Sequence, residues 1–98
     1  MTPTWSFTAR TFLDQLEPGE RSRVVAAVER VAREWPDVPG DRLRRVVGAA
    51  GDLWMLRIGS DLRALFQTGG GQLHVVDVIR RGQIEGLREL AGVVGRDA

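Results

Sequence analysis

Two arginines, Arg57 and Arg63, sit on the apolar segments that flank a Gly-Ser-Asp turn in the stretch LWMLRIGSDLRALF, residues 53 to 66. A strand alternates its faces, so a loop over 59–61 pairs Ile58 with Leu62, Leu56 with Ala64 and Trp54 with Phe66, an apolar set suited to packing on helices. The opposite face then sets Arg57 against Arg63. Like charges directly across a sheet are destabilising, by a few tenths of a kcal/mol or more. A second loop over 69–71 aligns Arg63 with Asp77, Ala64 with Val76 and Leu62 with Val78, and Arg81 shares the arginine face if the last strand runs that far. Forked guanidinium groups of this kind hold a phosphate or carboxylate bidentately, which makes the row a candidate anion site. The alternative reading is a solvated face on which Asp77 neutralises Arg63 in a cross-strand ion pair.

Little other chemistry competes with this cluster. His74 is the only imidazole, and the register above places it beside Phe66 on the apolar face as a packed or edge residue. The run TGGGQ lacks the Lys-Ser/Thr pair of a phosphate-binding loop and reads as a hairpin turn. With one His and no Cys there is no zinc-finger constellation and no disulfide framework. Asp52, Asp61 and Asp77 are poor candidates for a hard cation, because arginines crowd the same surface.

The elements that must position these groups follow from periodicity. Trp5 and Phe7 in TWSF alternate as in a short strand, and Ala9, Phe12, Leu13 and Leu16 recur at helical spacing until EPGE interrupts them. From Glu20 the set Val24, Val25, Val28, Val31, Ala32 and Trp35 predicts a second amphipathic helix, ending at Trp35 because Pro36 disfavours helical geometry in the residue before it. The two form an antiparallel hairpin. RLRRVV is a short edge strand, three strands run over about 53–58, 62–67 and 73–80, and a weak helix over about 83–91 closes the chain. The expected fold is α+β, a helical hairpin packed on a small antiparallel sheet with a short C-terminal helix, in one domain over residues 1–98. The predicted core joins Trp54, Leu56, Ala64, Phe66, Val76 and Val78 to the second helix.

The chain has 98 residues and a net charge of only +1, but the charge is unevenly placed. Residues 1–41 carry five arginines against seven acids (−2), residues 42–81 seven against three (+4), and residues 82–98 two against three (−1). The positive segment is the one holding Arg57, Arg63 and Arg81. All fourteen cations are Arg, a composition that suits phosphate contacts and equally reflects coding bias. No charged segment followed by an apolar run opens the chain, and no apolar stretch approaches the ~20 residues that span a bilayer, so the expected location is the cytoplasm.

A helical hairpin followed by LWMLRIGSDLRALFQTGGGQLHVVDVIRRGQI resembles the RelE/ParE superfamily of bacterial type II toxins. Their strands carry an aromatic residue, Leu, Arg, a Gly-containing turn, Arg, an apolar strand and a closing Val-x-x-Arg. The likeness is specific from Leu53 to Ile84, and before that rests on the order of elements. It implies a RelE/ParE-like toxin neutralised by a cognate antitoxin: a metal-independent endoribonuclease acting on translated mRNA at the ribosome, a non-enzymatic inhibitor of DNA gyrase, or an inactive interaction module. No cofactor, metal or membrane is implied. By position Arg57, Arg63 and Arg81 match the family's basic sheet-face residues, which in the ribonuclease branch stabilise charge on the scissile phosphate. Many ribonuclease members also carry lysines on this surface and a tyrosine about four residues after the last arginine. This chain has neither Tyr nor Lys, and Glu85 stands at the matching position as the candidate base.

Overall fold

The computed structural model describes residues 1–46, 48 and 52–82. The short strand β1 (Pro3–Trp5) leads into helix α1 (Phe7–Gln15), which α2 (Pro18–Glu34) follows; β2 (Leu43–Arg45), β3 (Leu53–Ile58), β4 (Leu62–Gly69) and β5 (Gln72–Arg80) complete the described elements. The strands form one sheet in the order β1-β5-β4-β3-β2. Pairing is antiparallel except where β1 lies parallel to β5, so the expected antiparallel sheet gains one parallel edge. The expected C-terminal helix over 83–91 lies outside the described residues.

Helix ends explain the chain's course. Ser6 caps α1 by accepting the Ala9 N–H at 3.0 Å. The strand reading of TWSF therefore stops one step early: Phe7 begins the helix and is 84% exposed rather than turned into the sheet. Proline at the first turn of α2 lets that helix start at Pro18, two residues before the expected Glu20, since a helix needs no N–H there. Arg21 reaches back from α2 and donates to the carbonyls of Leu13 (3.0 Å), which also accepts the Leu16 N–H, and of Leu16 (3.1 Å), adding acceptor bonds at the end of α1. The helix stops before Trp35, as the following proline predicts.

The hairpin packs on one face of the sheet. Ala9, Leu13, Val24, Val28, Val31 and Ala32 from the helices meet Leu56, Ile58, Leu62, Ala64, Phe66, Leu73, Val75 and Val78 from the strands. Trp35 stands edge-on to both Trp54 (5.2 Å) and Phe66 (5.6 Å). Four of the six predicted core positions, Leu56, Ala64, Phe66 and Val78, are buried, and Trp54 is partly so. Val76 is the exception, and the reason is the β4–β5 register.

The β4–β5 turn is tighter than three residues. Gly70 and Gly71 both take positive φ (59° and 75°), the signature of a two-residue primed turn, and Gly69 pairs with Gln72. Phe66 therefore faces Val75, and Leu73 and Val75 fill the core. A bulge then inserts Val76, because Leu65 pairs with Asp77 while Phe66 pairs with Val75. The β1–α1 junction holds this irregularity: Ser6 N–H donates to the Val75 carbonyl at 2.9 Å and Ser6 Oγ to that of Val76 at 2.7 Å. Beyond the bulge Ala64 faces Val78, Arg63 faces Ile79 and Leu62 faces Arg80.

Candidate functional site

The β3–β4 register sets Arg57 directly opposite Arg63, as the spacing of the two residues predicts. Both belong to the face of the sheet opposite α1 and α2. The expected ion pair between Arg63 and Asp77 does not form. Asp77 lies across from Leu65, whereas Arg63 lies across from Ile79 and donates from Nη1 to the Leu62 carbonyl at 2.8 Å. The Asp77 carboxylate instead accepts the Val78 N–H at 2.8 Å.

Arg57, Arg63 and Arg81 line one cleft of about 1010 Å³, which also takes in Arg42, Arg44, Met55, Asp41 and Asp61. Arg44 reaches it because it pairs with Met55, two residues from Arg57 on the same face. Arg42 arrives through its carbonyl, which accepts the Arg57 N–H at 2.7 Å. These two are the site residues that sequence reasoning missed. Their signal was the i, i+2 spacing within RLRR on a strand already assigned to the edge; what was lacking was its pairing partner.

The charges in the cleft act on one another. Arg63 is 8% exposed, paired with Ile79 across the strands, and lines the cleft. Its pKa is lowered first by burial and then by the positive charges of Arg57 and Arg81, with Asp61 opposing. An anion placed among the three would reverse the sign of that interaction. Relief of repulsion is also open to mutation: Arg63→Met should raise the melting temperature, by a gain under about 1 kcal/mol because the bond to the Leu62 carbonyl is lost with the charge, while weakening anion binding. Thermal melts with and without a phosphate-bearing ligand check both halves.

Asp77, half-buried on the same face, has its pKa raised by burial, with the Val78 N–H pulling the other way. A raised carboxyl pKa means that the folded state holds its proton to higher pH than the unfolded chain does. Stability from this group therefore falls as pH climbs through the folded pKa. Asp77→Asn keeps the acceptor, and should raise the melting temperature at pH 7 by about 1–3 °C, with the advantage shrinking as pH falls toward the ordinary aspartate range.

Two other candidates fare differently. His74 pairs with Gln67 rather than lying beside Phe66, since the one-residue change in register turns it to the other face. There its Nδ1 is 2.7 Å from Thr4 Oγ1, tying β1 to β5 away from the cleft. Glu85 lies outside the described residues. Arg45 is engaged elsewhere, bonded to Asp52 and set over the Trp54 ring at 5.9 Å. No helix among the described residues is long and apolar enough to cross a membrane.

No protein-family model matches the sequence, and no curated protein matches it either. Solved structures do. A chain of the archaeal RelE-RelB complex from Pyrococcus horikoshii OT3 superposes with a TM-score of 0.65 at 17% identity, covering 83% of this chain and 94% of that one. For the toxin-antitoxin complex RelBE2 from Mycobacterium tuberculosis the values are 0.65, 22%, 82% and 96%. For the YoeB/ParE toxin from Agrobacterium tumefaciens they are 0.66, 16%, 83% and 99%. The chain thus has the RelE/ParE-like fold, a helical hairpin on a small sheet.

Proposed function

We propose that the protein is the toxin of a toxin–antitoxin pair, and that its arginine-bearing sheet face acts on RNA. The observation that carries this reading is the convergence of Arg57, Arg63 and Arg81 in one cleft, against mutual repulsion, on a fold shared with RelE-RelB and YoeB/ParE structures. A face that concentrates positive charge is suited to a polyanion, and its sequence-independent grip on phosphates would be strongly salt-dependent. In the proposed chemistry, which needs no metal, a general base takes the 2′-hydroxyl proton, the 2′-oxygen attacks the adjacent phosphorus, and the 5′-oxygen leaves with a proton from an acid. The arginines stabilise the pentavalent phosphate, where negative charge develops. Glu85 is the proposed base.

The cognate antitoxin is the proposed partner, an acidic segment, disordered when free, that covers the cleft and relieves the same repulsion. Translated mRNA on the ribosome is the proposed substrate. A second reading rests on the absence of Tyr and Lys from the whole chain: a ParE-like inhibitor of DNA gyrase needs a binding surface but neither acid nor base. Inducible expression in a bacterial host separates the two. New mRNA 5′ ends within coding regions support the ribonuclease, and DNA damage without cleavage supports the gyrase inhibitor. Growth unaffected by expression, with no cleavage and no DNA damage, would leave an inactive interaction module.

A further inference from the structure

The cleft holds an acid that works against its apparent purpose. Asp61, in the β3–β4 turn, contributes negative charge beside Arg63. As a bare charge it would repel any anion that the arginines attract. Its contacts give it another role. The Asp61 carbonyl accepts the Arg81 N–H at 2.6 Å, and its carboxylate accepts from Arg80 Nη1 at 2.7 Å. The same Arg80 guanidinium reaches Glu20 on α2, at 3.4 and 3.5 Å. Arg80 is the last residue of β5, and Arg81 stands one residue beyond the strand with its side chain lining the cleft. Holding Arg80 to α2 and the Arg81 N–H to the Asp61 carbonyl therefore fixes the backbone from which Arg81 enters the cleft.

We infer that Asp61 is a positioning residue for the anion site: it clamps the end of β5 to the hairpin turn from two atoms, with Glu20 as the second anchor, and so sets where Arg81 meets its ligand. The inference rests on the reading of the cleft as an anion site. Gly59, at φ 64°, gives the turn the left-handed step that brings Asp61 round to β5. The clamp joins the helical layer, the turn and the basic face at one point, and a small displacement of a binding group is costly: about 1 Å is enough to lose up to ~10²-fold.

The sign of the Asp61→Asn effect tests this. Removing a negative charge beside three arginines should tighten anion binding if Asp61 is only a charge, and weaken it if Asp61 positions Arg81. The probe is a fluorescein-labelled single-stranded RNA decamer, followed by anisotropy. Asp61→Asn is expected to weaken binding about tenfold in the wild-type background and less than about twofold in Arg81→Ala, because coupled residues are non-additive. Glu20→Gln should show the same dependence on Arg81, with a smaller effect. Arginine side-chain NMR during titration with inorganic phosphate supplies the second readout. The Arg81 Nε–Hε signal should respond in the wild type and lose that response in Asp61→Asn. Unchanged or tighter RNA binding in Asp61→Asn, or equal weakening in both backgrounds, would overturn the clamp. Where the wild type ignores RNA, the proposed function falls, and the phosphate titration alone decides. Loss of the Arg81 response in Asp61→Asn upholds the clamp, and an Arg81 signal that responds alike in both proteins, or in neither, overturns it.

Discussion

Arg81→Ala is expected to leave the fold intact and to lower RNA cleavage by ~10² to 10³-fold, equivalent to about 3–4 kcal/mol of lost transition-state stabilisation. Arg81 is exposed just beyond the end of β5 and lines the cleft, so removal of its side chain opens no cavity in the core. The backbone N–H that bonds the Asp61 carbonyl is retained. A guanidinium that binds the phosphate and is aimed at the developing charge acts in both steps, so the rate of the bound complex should fall in addition to an affinity loss of about tenfold. Single-turnover cleavage of ribosome-bound mRNA, alongside circular dichroism, measures both. Undiminished cleavage by a folded Arg81→Ala protein would remove the arginine from the reaction, and a lost fold would make it a structural residue.

The largest effect on stability should come from Phe66→Ala, at about 3–5 kcal/mol. Phe66 is 1% exposed on the central strand β4, and loses contact with Trp35 as well as its burial when truncated. Against a total stability of about 5–15 kcal/mol for a domain of this kind, that loss brings the chain near unfolding at 37 °C. Trp54→Ala is the useful comparison. Trp54 lies on β3, only partly buried and paired with Phe66 across the strands, so its truncation should cost less. Urea titrations of the two variants give the order directly, and a Trp54→Ala protein less stable than Phe66→Ala would shift the centre of the core toward β3.

The helical hairpin, the β3–β4 pairing and the opposition of Arg57 and Arg63 were all readable from spacing. Each depends on local rules: period 3.6 over Val24, Val28 and Val31, period two over Leu56 and Ile58, and a turn with glycine between them. The reading stopped short where two patterns agreed locally and differed in register. Three glycines in a row permit either a three-residue loop or a two-residue turn, and nothing in TGGGQ selects between them. Val76 is as apolar as Val75, so hydropathy alone does not mark which of the two is bulged. The contribution of Arg42 and Arg44 was hidden for a related reason, since an edge strand acquires a face only once its partner is known.

These differences moved the site. The tight turn and the bulge together shift β5 by two residues relative to β4, which preserves the faces that alternation assigns, and Arg81, one residue beyond the strand, still lines the cleft with Arg57 and Arg63. They also change its depth. With Ile79 instead of Asp77 opposite Arg63, Arg81 stands two residues along the chain from that pair rather than four. Face membership follows from alternation, which a sequence carries in itself. Distance along the strand follows from the bulge, and the bulge is held by Ser6, 70 residues away from Val76, whose hydroxyl and amide take the two carbonyls that an unbroken ladder would orient otherwise. Such a contact exists only once β1 has come to lie beside β5, so the spacing of the arginines that makes them one site was set by a pairing between the two ends of the described chain.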